Sequence, residues 1–471
     1  MRFVGREDLL ARLDAELDRA RRGPGRLLAI RGRRQVGKST LVERFLGRAG
    51  VPGAFFVASR RPPDVELVRL ADAIGDSGIP EVAELARGGS LGSWEAALTI
   101  LATAAHPDRP LVLVIDEFPY LIESSPGIEA VLQKVWDRTL ERSNVLVALI
   151  GSDLAMMRAL SEYGRPLYGR VTELVVPPLS PAEVADMLGV APAAAIDAYL
   201  VVGGFPRLAA SWLPGDRLWG FLERELSDAM SPLAVIGERS LAAEFPPETH
   251  ARLVLEAIGS GARSFADIGR RAGIPQTSLN RALETLQQKG VVARETPYST
   301  ARNPRSPRYL VNDEYLRFWL RFVGPGLELM QRGRGDVVNE RLRRGWREYR
   351  GVAVEPLVRR SIARTLPDER FGGARFVGGY WTRDGRVEVD LVGGRGERQT
   401  DAVDFIGSIK WRDSAAFGRE DVARLAAVRA AVPGATPSTR LVGVSRSGFR
   451  SAGVDVEIGP EDLLAAWHQQ A

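Results

Sequence analysis

Short apolar segments alternate with helical patterns over the first third of the chain. Residues 27–31, 53–58, 111–115, 145–150 and 172–176 have the length and composition of buried strands. Continuous apolar runs of this kind, separated by helices, are typical of a parallel sheet that is covered on both faces. The pattern therefore predicts an α/β domain over residues 1–178.

Beyond residue 178 the hydrophobic pattern becomes helical. Residues 181–227 predict a helical region, and the proline-containing segment 231–250 predicts a linker behind it. We therefore assign a helical lid to residues 179–245.

A different order of elements begins near residue 251. Three helical patterns are followed by two short strand patterns, which is the order of a winged helix-turn-helix. Gly273 lies in the predicted turn, and residues 276–288 form the predicted second helix of the motif. This domain is assigned to residues 246–330.

The last predicted domain, residues 331–471, is a smaller α/β unit. It starts with one long predicted helix over residues 339–365. Strand patterns near 374–381, 387–392, 402–409 and 440–445 follow, with a helix over 418–431 between the last two.

Composition excludes several classes of protein. The chain has 471 residues, of which 45% are hydrophobic and 26% charged, as in an ordinary globular protein. It has no cysteine and three histidines, which excludes thiolate and disulfide chemistry and disfavours a histidine-based metal centre. No apolar run is long enough to span a membrane, so we expect a cytoplasmic protein with no membrane partner.

The net charge of +5 is compatible with a nucleic-acid partner without establishing one. Of the 64 cationic residues, four are lysines and 60 are arginines. A chain that uses lysine so rarely can retain it where a compact ammonium group is needed. Lys38 and Lys410 lie in motifs where that chemistry is expected.

Residues 32–39 form a complete G-x-x-x-x-G-K-S motif between a predicted strand and a predicted helix. In this context the backbone N–H groups and the helix N-terminus cradle phosphates. Lys38 would reach the terminal phosphates of ATP, and the Ser39 hydroxyl would be a ligand of Mg²⁺. The nucleotide-contacting residues predicted from this motif are Gly32, Gln35, Val36, Gly37, Lys38, Ser39 and Thr40.

The apolar strand at 111–115 ends in Asp116 and Glu117. Two carboxylates at the carboxyl edge of the same sheet would lie beside the phosphate loop. Asp116 would hold Mg²⁺, directly or through water, and Glu117 would polarise the attacking water. Ser152, which follows the next strand, is a candidate sensor of the γ-phosphate. Arg170 is a candidate arginine finger, acting within its own chain or across a subunit interface.

In this order, the motifs resemble the archaeal-type ATPases, which are AAA-related, STAND-like P-loop proteins. The resemblance rests on residues 3–7 (FVGRE), the two phosphate-site motifs, VIDEFPYL, IGS, PLYGR and the turn Gly203-Gly204-Phe205-Pro206. It extends to the C-terminal domain through Phe318, Trp319 and residues 346–355. The resemblance implies that Val4, Gly5 and Arg6 lie near the adenine and that Pro206 carries lid movements to the nucleotide.

The second helix of the winged motif has a polar face with glutamine, threonine, serine, asparagine and arginine side chains, which suit groove and phosphate contacts. The predicted wing adds Arg294, Arg302, Arg305 and Arg308. These features favour duplex DNA as a partner. The alternative is that the winged helix is a packing module that holds the lid.

The C-terminal domain resembles the PD-(D/E)XK nuclease core, which has a restriction-endonuclease-like fold. Glu355 on a helix, Asp390 on one strand and Lys410 on the next follow that pattern, in which carboxylates hold Mg²⁺. The sequence departs from it at Ser408, where a carboxylate is expected. An active site, a degenerate site that binds DNA and an ordinary polar surface all stay open, and the degenerate site is favoured.

The sequence thus predicts an ATP- and Mg²⁺-dependent ATPase switch that is coupled to DNA binding. Two alternatives from other classes stay open. One is an active, ATP-regulated DNA nuclease, and the other is a signalling ATPase whose winged helix binds a protein. A homo-oligomer or another protein partner is compatible with all three.

Overall fold

The computed structural model describes residues 3–77, 82, 91–246, 249–301, 306–450 and 453–468. The chain divides into two compact units. One is Gly5–Pro178, and the other is Leu179–Ala471 together with the residues up to Val4. The predicted boundaries at residues 178, 245 and 330 stay predictions, and each unit is described separately.

The first unit is built on a parallel five-stranded sheet with strand order β2-β3-β4-β1-β5. The central strands β3 and β4 are buried along their whole length, as continuous apolar runs require. The strands are β1 Arg26–Arg31, β2 Gly53–Val57, β3 Leu111–Asp116, β4 Val145–Gly151 and β5 Thr172–Val175. Helices α1 to α7 span Glu7–Arg22, Lys38–Ala49, Pro63–Gly75, Trp94–Ala104, Phe118–Ser124, Ile128–Arg138 and Leu154–Ala159.

The second unit begins with helices. Helices α8 to α12 span Pro181–Leu188, Pro192–Val202, Pro206–Ala210, Leu218–Ser227 and Pro232–Glu244. The linker predicted over residues 231–250 is therefore wrong for most of its length. The Ser231 hydroxyl caps α12, and Pro232 occupies a first-turn position where its missing N–H costs no hydrogen bond.

The winged motif follows. It comprises α13 His250–Gly259, α14 Phe265–Ala272 and α15 Gln276–Gln288, and then the antiparallel pair β6 Val292–Glu295 and β7 Arg308–Val311. Connecting helices α16 Glu314–Phe318 and α17 Leu327–Gln331 flank a π-helical turn at Trp319–Val323.

The C-terminal part holds a second sheet in the order β12-β11-β10-β9-β8. Its strands are β8 Phe376–Trp381, β9 Glu388–Gly394, β10 Val403–Lys410, β11 Arg440–Ser445 and β12 Val456–Ile458. The helices of this part are α18 Gly335–Ala353, α19 Glu355–Thr365, α20 Arg419–Val428 and α21 Pro460–Ala465. The long helix predicted over 339–365 is two helices. The break falls where Pro356 cannot continue the hydrogen bonding of α18 and instead starts α19.

One hydrophobic core joins the helices after residue 179, the winged motif and the C-terminal sheet. Within the described residues, no single helix is long and apolar enough to cross a membrane. One pair, α8 and α9, passes the length and composition test together but is bent by 109°.

Candidate functional site

The phosphate loop of the first unit runs from the end of β1 to the start of α2. Two of its glycines are required by its shape. Gly37 has a φ of +88°, which L side chains rarely adopt. At Gly32 a Cβ atom would lie 2.4 Å from the carbonyl oxygen of Val176, so any larger residue would push the loop off the sheet.

Lys38 is folded back onto the loop. Its ammonium donates to the carbonyl oxygens of Gly32 at 2.9 Å and Arg33 at 2.8 Å, and the residue is buried. Burial lowers the pKa of Lys38 to about 8; Glu117 and Asp116 oppose this shift, while Arg34 adds to it. The lowered pKa indicates a buried ammonium that an anion would stabilise.

Two oxygen atoms converge beside the loop. The Ser39 hydroxyl donates to Oδ2 of Asp116 at 2.5 Å, across 77 residues of sequence. Asp116 is the last residue of β3, and its Oδ1 accepts the backbone N–H of Glu117 at 2.8 Å. A hydroxyl and a carboxylate are oxygen ligands of the kind that Mg²⁺ uses in nucleotide sites, so these residues fit that ion.

Glu117 and Ser152 form the second polar pair. The Ser152 hydroxyl donates to Oε2 of Glu117 at 3.2 Å. Glu117 has a φ of +51°, which turns its side chain away from the strand direction. At Gly151 a Cβ atom would lie 2.4 Å from Sδ of Met157, so glycine allows β4 to end this close to the helices behind it.

Other predicted nucleotide contacts fall into two groups. Arg6 lies behind the loop, donating to the carbonyl oxygens of Pro177 at 2.7 Å and Val36 at 3.5 Å, and Gly5 precedes it with a φ of +65°. Gln35 and Thr40 have exposed side chains, whereas Val36 is buried. Val4 and Pro206 belong to the second unit, and their contacts with nucleotide stay predictions.

Arg170 is not close to the phosphate loop of its own chain. It precedes β5, which runs parallel to β1 with Thr172 opposite Leu28. At about 3.3 Å per residue, the start of β5 therefore lies about 13 Å from Gly32, and Arg170 lies before it, toward the amino edge of the sheet. There its guanidinium binds both carboxylate oxygens of Asp137, at 2.6 and 2.8 Å. The prediction that Arg170 acts within its own chain is wrong, and action across an interface stays a prediction.

The second helix of the winged motif presents a polar exposed face. Leu279, Ala282, Leu283 and Leu286 are buried on the opposite side of α15. The exposed residues are Gln276, Thr277, Asn280, Arg281, Glu284, Thr285 and Gln288. These polar side chains are exposed to solvent on the side of α15 opposite its buried residues.

The wing, in contrast, is docked on the C-terminal sheet. Arg308 binds both carboxylate oxygens of Glu388 and lies 4.5 Å from the ring centre of Trp381. The backbone N–H of Tyr298 donates to Gly379 at 2.8 Å. The expectation that Arg308 faces DNA is therefore wrong, because its guanidinium forms an ion pair with Glu388 within the same unit. Arg294 is exposed, and Arg302 and Arg305 lie outside the described residues.

The structure brings Glu355, Asp390 and Lys410 together at neighbouring elements. Strands β9 and β10 are adjacent, so Asp390 lies beside residues 408 and 409. Its Oδ2 accepts the backbone N–H of Ile409 at 2.7 Å and the Ser408 hydroxyl at 3.2 Å. Burial raises the pKa of Asp390, and the bond from Ile409 and the nearby charge of Lys410 oppose the shift.

Glu355 lines the same cavity as Asp390, which has a volume of about 270 Å³. Burial raises the pKa of Glu355 to about 7, against the opposing charge of Arg359. Arg359 binds Glu355 at 2.8 Å and Glu295 of the wing at 3.0 Å. In the described part of the chain, no group of three or more histidine or acidic side chains is arranged to hold a metal ion.

Sequence reasoning missed several polar residues that complete the first site. Arg34, inside the phosphate loop, donates to the hydroxyl of Tyr120 at 2.6 Å. Arg60 lies 4.1 Å from the centre of the same ring. Two signals were available: Arg34 occupies a variable position of a phosphate-binding motif, and Tyr120 follows Glu117 by three residues.

Three family models match the chain. Residues 2–147 match the AAA ATPase domain, 247–302 match the MarR family, and 319–422 match a family described as archaeal and bacterial proteins of unknown function. The class of protein is thereby defined. The chain is a P-loop ATPase with an AAA ATPase domain, a winged-helix region and a separate C-terminal sheet domain, as the sequence predicted.

Among known proteins, the chain is similar to an uncharacterized protein of Methanocaldococcus jannaschii. The two are 25% identical over 419 residues, which is 87% of this chain and 88% of the relative. The Walker-type ATPase of Pyrococcus abyssi matches 68% of this chain and 96% of its own, with 20% identity and a TM-score of 0.48. The ORC2 protein of Aeropyrum pernix matches 69% and 94%, with 16% identity and a TM-score of 0.44.

Proposed function

We propose that this ATPase is a nucleotide-driven switch of the STAND-like group that acts on DNA. The observation that carries the ATP site is the 2.5 Å contact between Ser39 and Asp116 beside the buried ammonium of Lys38. Three groups from two elements, α2 and β3, converge at the carboxyl edge of the sheet, where nucleotides bind in open α/β folds.

In this proposal Ser39 and Asp116 hold Mg²⁺, and Lys38 binds the terminal phosphates. When bound, the metal would neutralise charge that develops on the phosphate oxygens. Glu117 orients and polarises the attacking water. Ser152 donates a hydrogen bond to the Glu117 carboxylate and, through this contact, senses whether a γ-phosphate is bound. Arg170 contributes to catalysis only if the protein assembles so that Arg170 reaches the ATP site of a neighbouring subunit.

Replacing Asp116 by asparagine should keep ATP binding and lower turnover. Asparagine retains the shape and one oxygen, but its amide is a much weaker Mg²⁺ ligand than a carboxylate. We expect a 10- to 100-fold lower kcat, of about the size seen when groups that support a metal are changed. A phosphate-release assay at saturating ATP measures this, and an unchanged kcat would contradict the metal role of Asp116.

The affinity for ATP should fall as the pH rises above about 8. Burial lowers the pKa of Lys38 to about 8. Below that pH the ammonium binds phosphate directly. Above it, ATP binding must first add a proton, which weakens affinity by up to about tenfold per pH unit. The Lys38→Arg variant stays charged and should lose this dependence. A constant wild-type affinity up to pH 9.5 would contradict the pKa.

DNA binding is proposed for the exposed face of α15. Its glutamine, asparagine, threonine and arginine side chains can donate to phosphates and base edges. Because the wing is docked on the C-terminal sheet through Arg308, we propose that α15 is the main DNA-contacting element of the winged motif.

Fluorescence anisotropy with labelled duplex DNA tests this proposal. The Asn280→Ala/Arg281→Ala double variant should weaken binding, whereas Arg386→Ala, in the exposed turn before β9, should not. Binding by the wild type should weaken at least about tenfold between 50 and 200 mM salt. If the protein is a switch, its affinity for DNA must also differ between the ATP-bound and the ADP-bound forms. No binding at low salt would remove the DNA proposal and favour a protein partner.

The C-terminal cluster is proposed to be a degenerate nuclease-like site. Ser408 donates to Asp390 where a further metal-binding carboxylate would be needed. Arg359 occupies one carboxylate oxygen of Glu355 by a hydrogen bond in the same place. A plasmid-nicking assay with Mg²⁺ or Mn²⁺ decides between this and the active-nuclease alternative. Nicking by the wild type that the Lys410→Ala variant lacks would establish the nuclease.

A further inference from the structure

Arg34 is a cation inside the phosphate loop whose partner is neutral. Its guanidinium donates to the Tyr120 hydroxyl at 2.6 Å, and the residue is partly buried. A hydroxyl does not cancel the charge of a guanidinium as a carboxylate would. The positive charge of Arg34 therefore remains available to an anion bound at the loop.

The charge of Arg34 acts at the place where phosphate binds. Arg34 stands four residues before Lys38, in the loop that ends where α2 begins. Lysines at this motif position contact the terminal phosphates. Both side chains are positively charged, so an anion bound at this loop would be attracted by both.

Tyr120 is held firmly on the other side. Its backbone N–H donates to the carbonyl oxygen of Glu117 at 2.8 Å, which fixes the Tyr120 backbone in the first turn of α5, directly after β3. Arg60 covers the ring from the loop after β2.

That loop is itself fixed by a buried carboxylate. Glu66 is fully buried and accepts the backbone N–H groups of Ser59 at 2.8 Å and Arg61 at 2.9 Å. This holds Arg60 at a φ of +59°. The structure therefore has a preformed support for the Tyr120 ring and, through its hydroxyl, for Arg34.

We propose that Arg34 binds the terminal phosphate of ATP and stabilises its transition-state charge within its own chain. Tyr120 is the positioning residue that aims the guanidinium. This role is open because Arg170 lies at the opposite edge of the sheet. The inference rests on the phosphate site proposed above and does not depend on DNA binding.

In the step itself Arg34 forms no covalent bond. Water forms a bond to the γ-phosphorus, and the bond from that phosphorus to the bridging oxygen breaks. ADP leaves with the electron pair, and the proton of the water leaves through Glu117. The charge spread over the γ-phosphoryl oxygens is what a guanidinium donor stabilises.

The test measures kcat and ATP affinity separately for Arg34→Ala. We expect kcat to fall about 100-fold, as for removal of a preorganised donor to developing charge. The Kd for ATP should change less than about fivefold, because the role is exercised mainly in the transition state. Added methylguanidinium should restore part of the rate, which no purely structural role of Arg34 would produce. Tyr120→Phe should lower kcat about tenfold.

Arg61→Ala is the matched control, since Arg61 is exposed and is the next residue after Arg60. Its kcat should equal that of the wild type. An unchanged kcat in Arg34→Ala overturns the inference, and so does a parallel loss of ATP affinity without rescue. Lys38→Ala separates the two proposals: if it still binds ATP normally, the phosphate site itself is wrong, whatever Arg34 does.

Discussion

Replacement of Lys38 by alanine is expected to abolish ATP binding in practice, with affinity reduced at least about 100-fold. A charged hydrogen bond contributes about 1.5–3 kcal/mol, and the ammonium can make more than one to the phosphates. Lys38 is also buried, so little hydration of its ammonium has to be removed when phosphate binds. Titration with a fluorescent ATP analogue, checked by calorimetry, measures the loss.

Lys134→Ala is a suitable control for that experiment. Lys134 is exposed and pairs with Glu95 at 2.7 Å, so its loss should leave ATP affinity unchanged. The Lys38→Ala variant should also remain folded. The lowered pKa of Lys38 means that burial of its charge opposes folding at neutral pH, and alanine removes that penalty. Normal ATP affinity in a folded Lys38→Ala protein would refute the site.

The second large effect is expected at Asp197, on α9. This carboxylate is buried and accepts hydrogen bonds from Trp411 at 2.8 Å and Arg446 at 3.0 Å, with Arg350 at 3.3 Å. It thus ties a lid helix to α18 and the C-terminal sheet. Asp197→Ala would leave Arg350 and Arg446 with only the exposed Asp413 as a counter-charge, and we expect a cost of about 3 kcal/mol, the lower end of the range for a broken buried ion pair.

Urea unfolding followed by tryptophan fluorescence measures this cost, since seven of the nine tryptophans lie after residue 179. Glu340→Ala is the control on the same helix as Arg350. Glu340 forms an exposed pair with Arg344, so its loss should cost less than about 0.5 kcal/mol. Equal midpoints for Asp197→Ala and Glu340→Ala would show that the buried cluster does not stabilise the unit.

The phosphate loop was predictable because its chemistry is local. Glycine spacing sets the backbone of residues 32–37, and the flanking strand and helix follow from adjacent hydrophobic patterns. The pairing of Ser39 with Asp116 was predictable for a similar reason. Asp116 ends β3 and Ser39 follows the loop after β1, and the carboxyl ends of these parallel strands lie at the same edge of the sheet.

The docked wing could not be predicted in this way. Arg308 meets Glu388 across 80 residues and Arg359 meets Glu295 across 64. In a chain with 60 arginines, the identity of each carboxylate partner depends on packing and not on sequence spacing. The prediction of a DNA-facing Arg308 failed because a basic wing has the same composition whether it faces DNA or a neighbouring sheet.

By itself, the sequence determined that this chain is a P-loop ATPase with a winged helix and a second α/β domain. Hydrophobic periodicity and short motifs are properties of residues that are neighbours in sequence, so they can be recognised without knowledge of the fold. Only the tertiary structure decided which edge of the sheet holds Arg170, what Arg34 and Asp197 contact, and that Ser408 binds Asp390. These facts depend on strand order and on side chains brought together from distant segments, which no local pattern encodes.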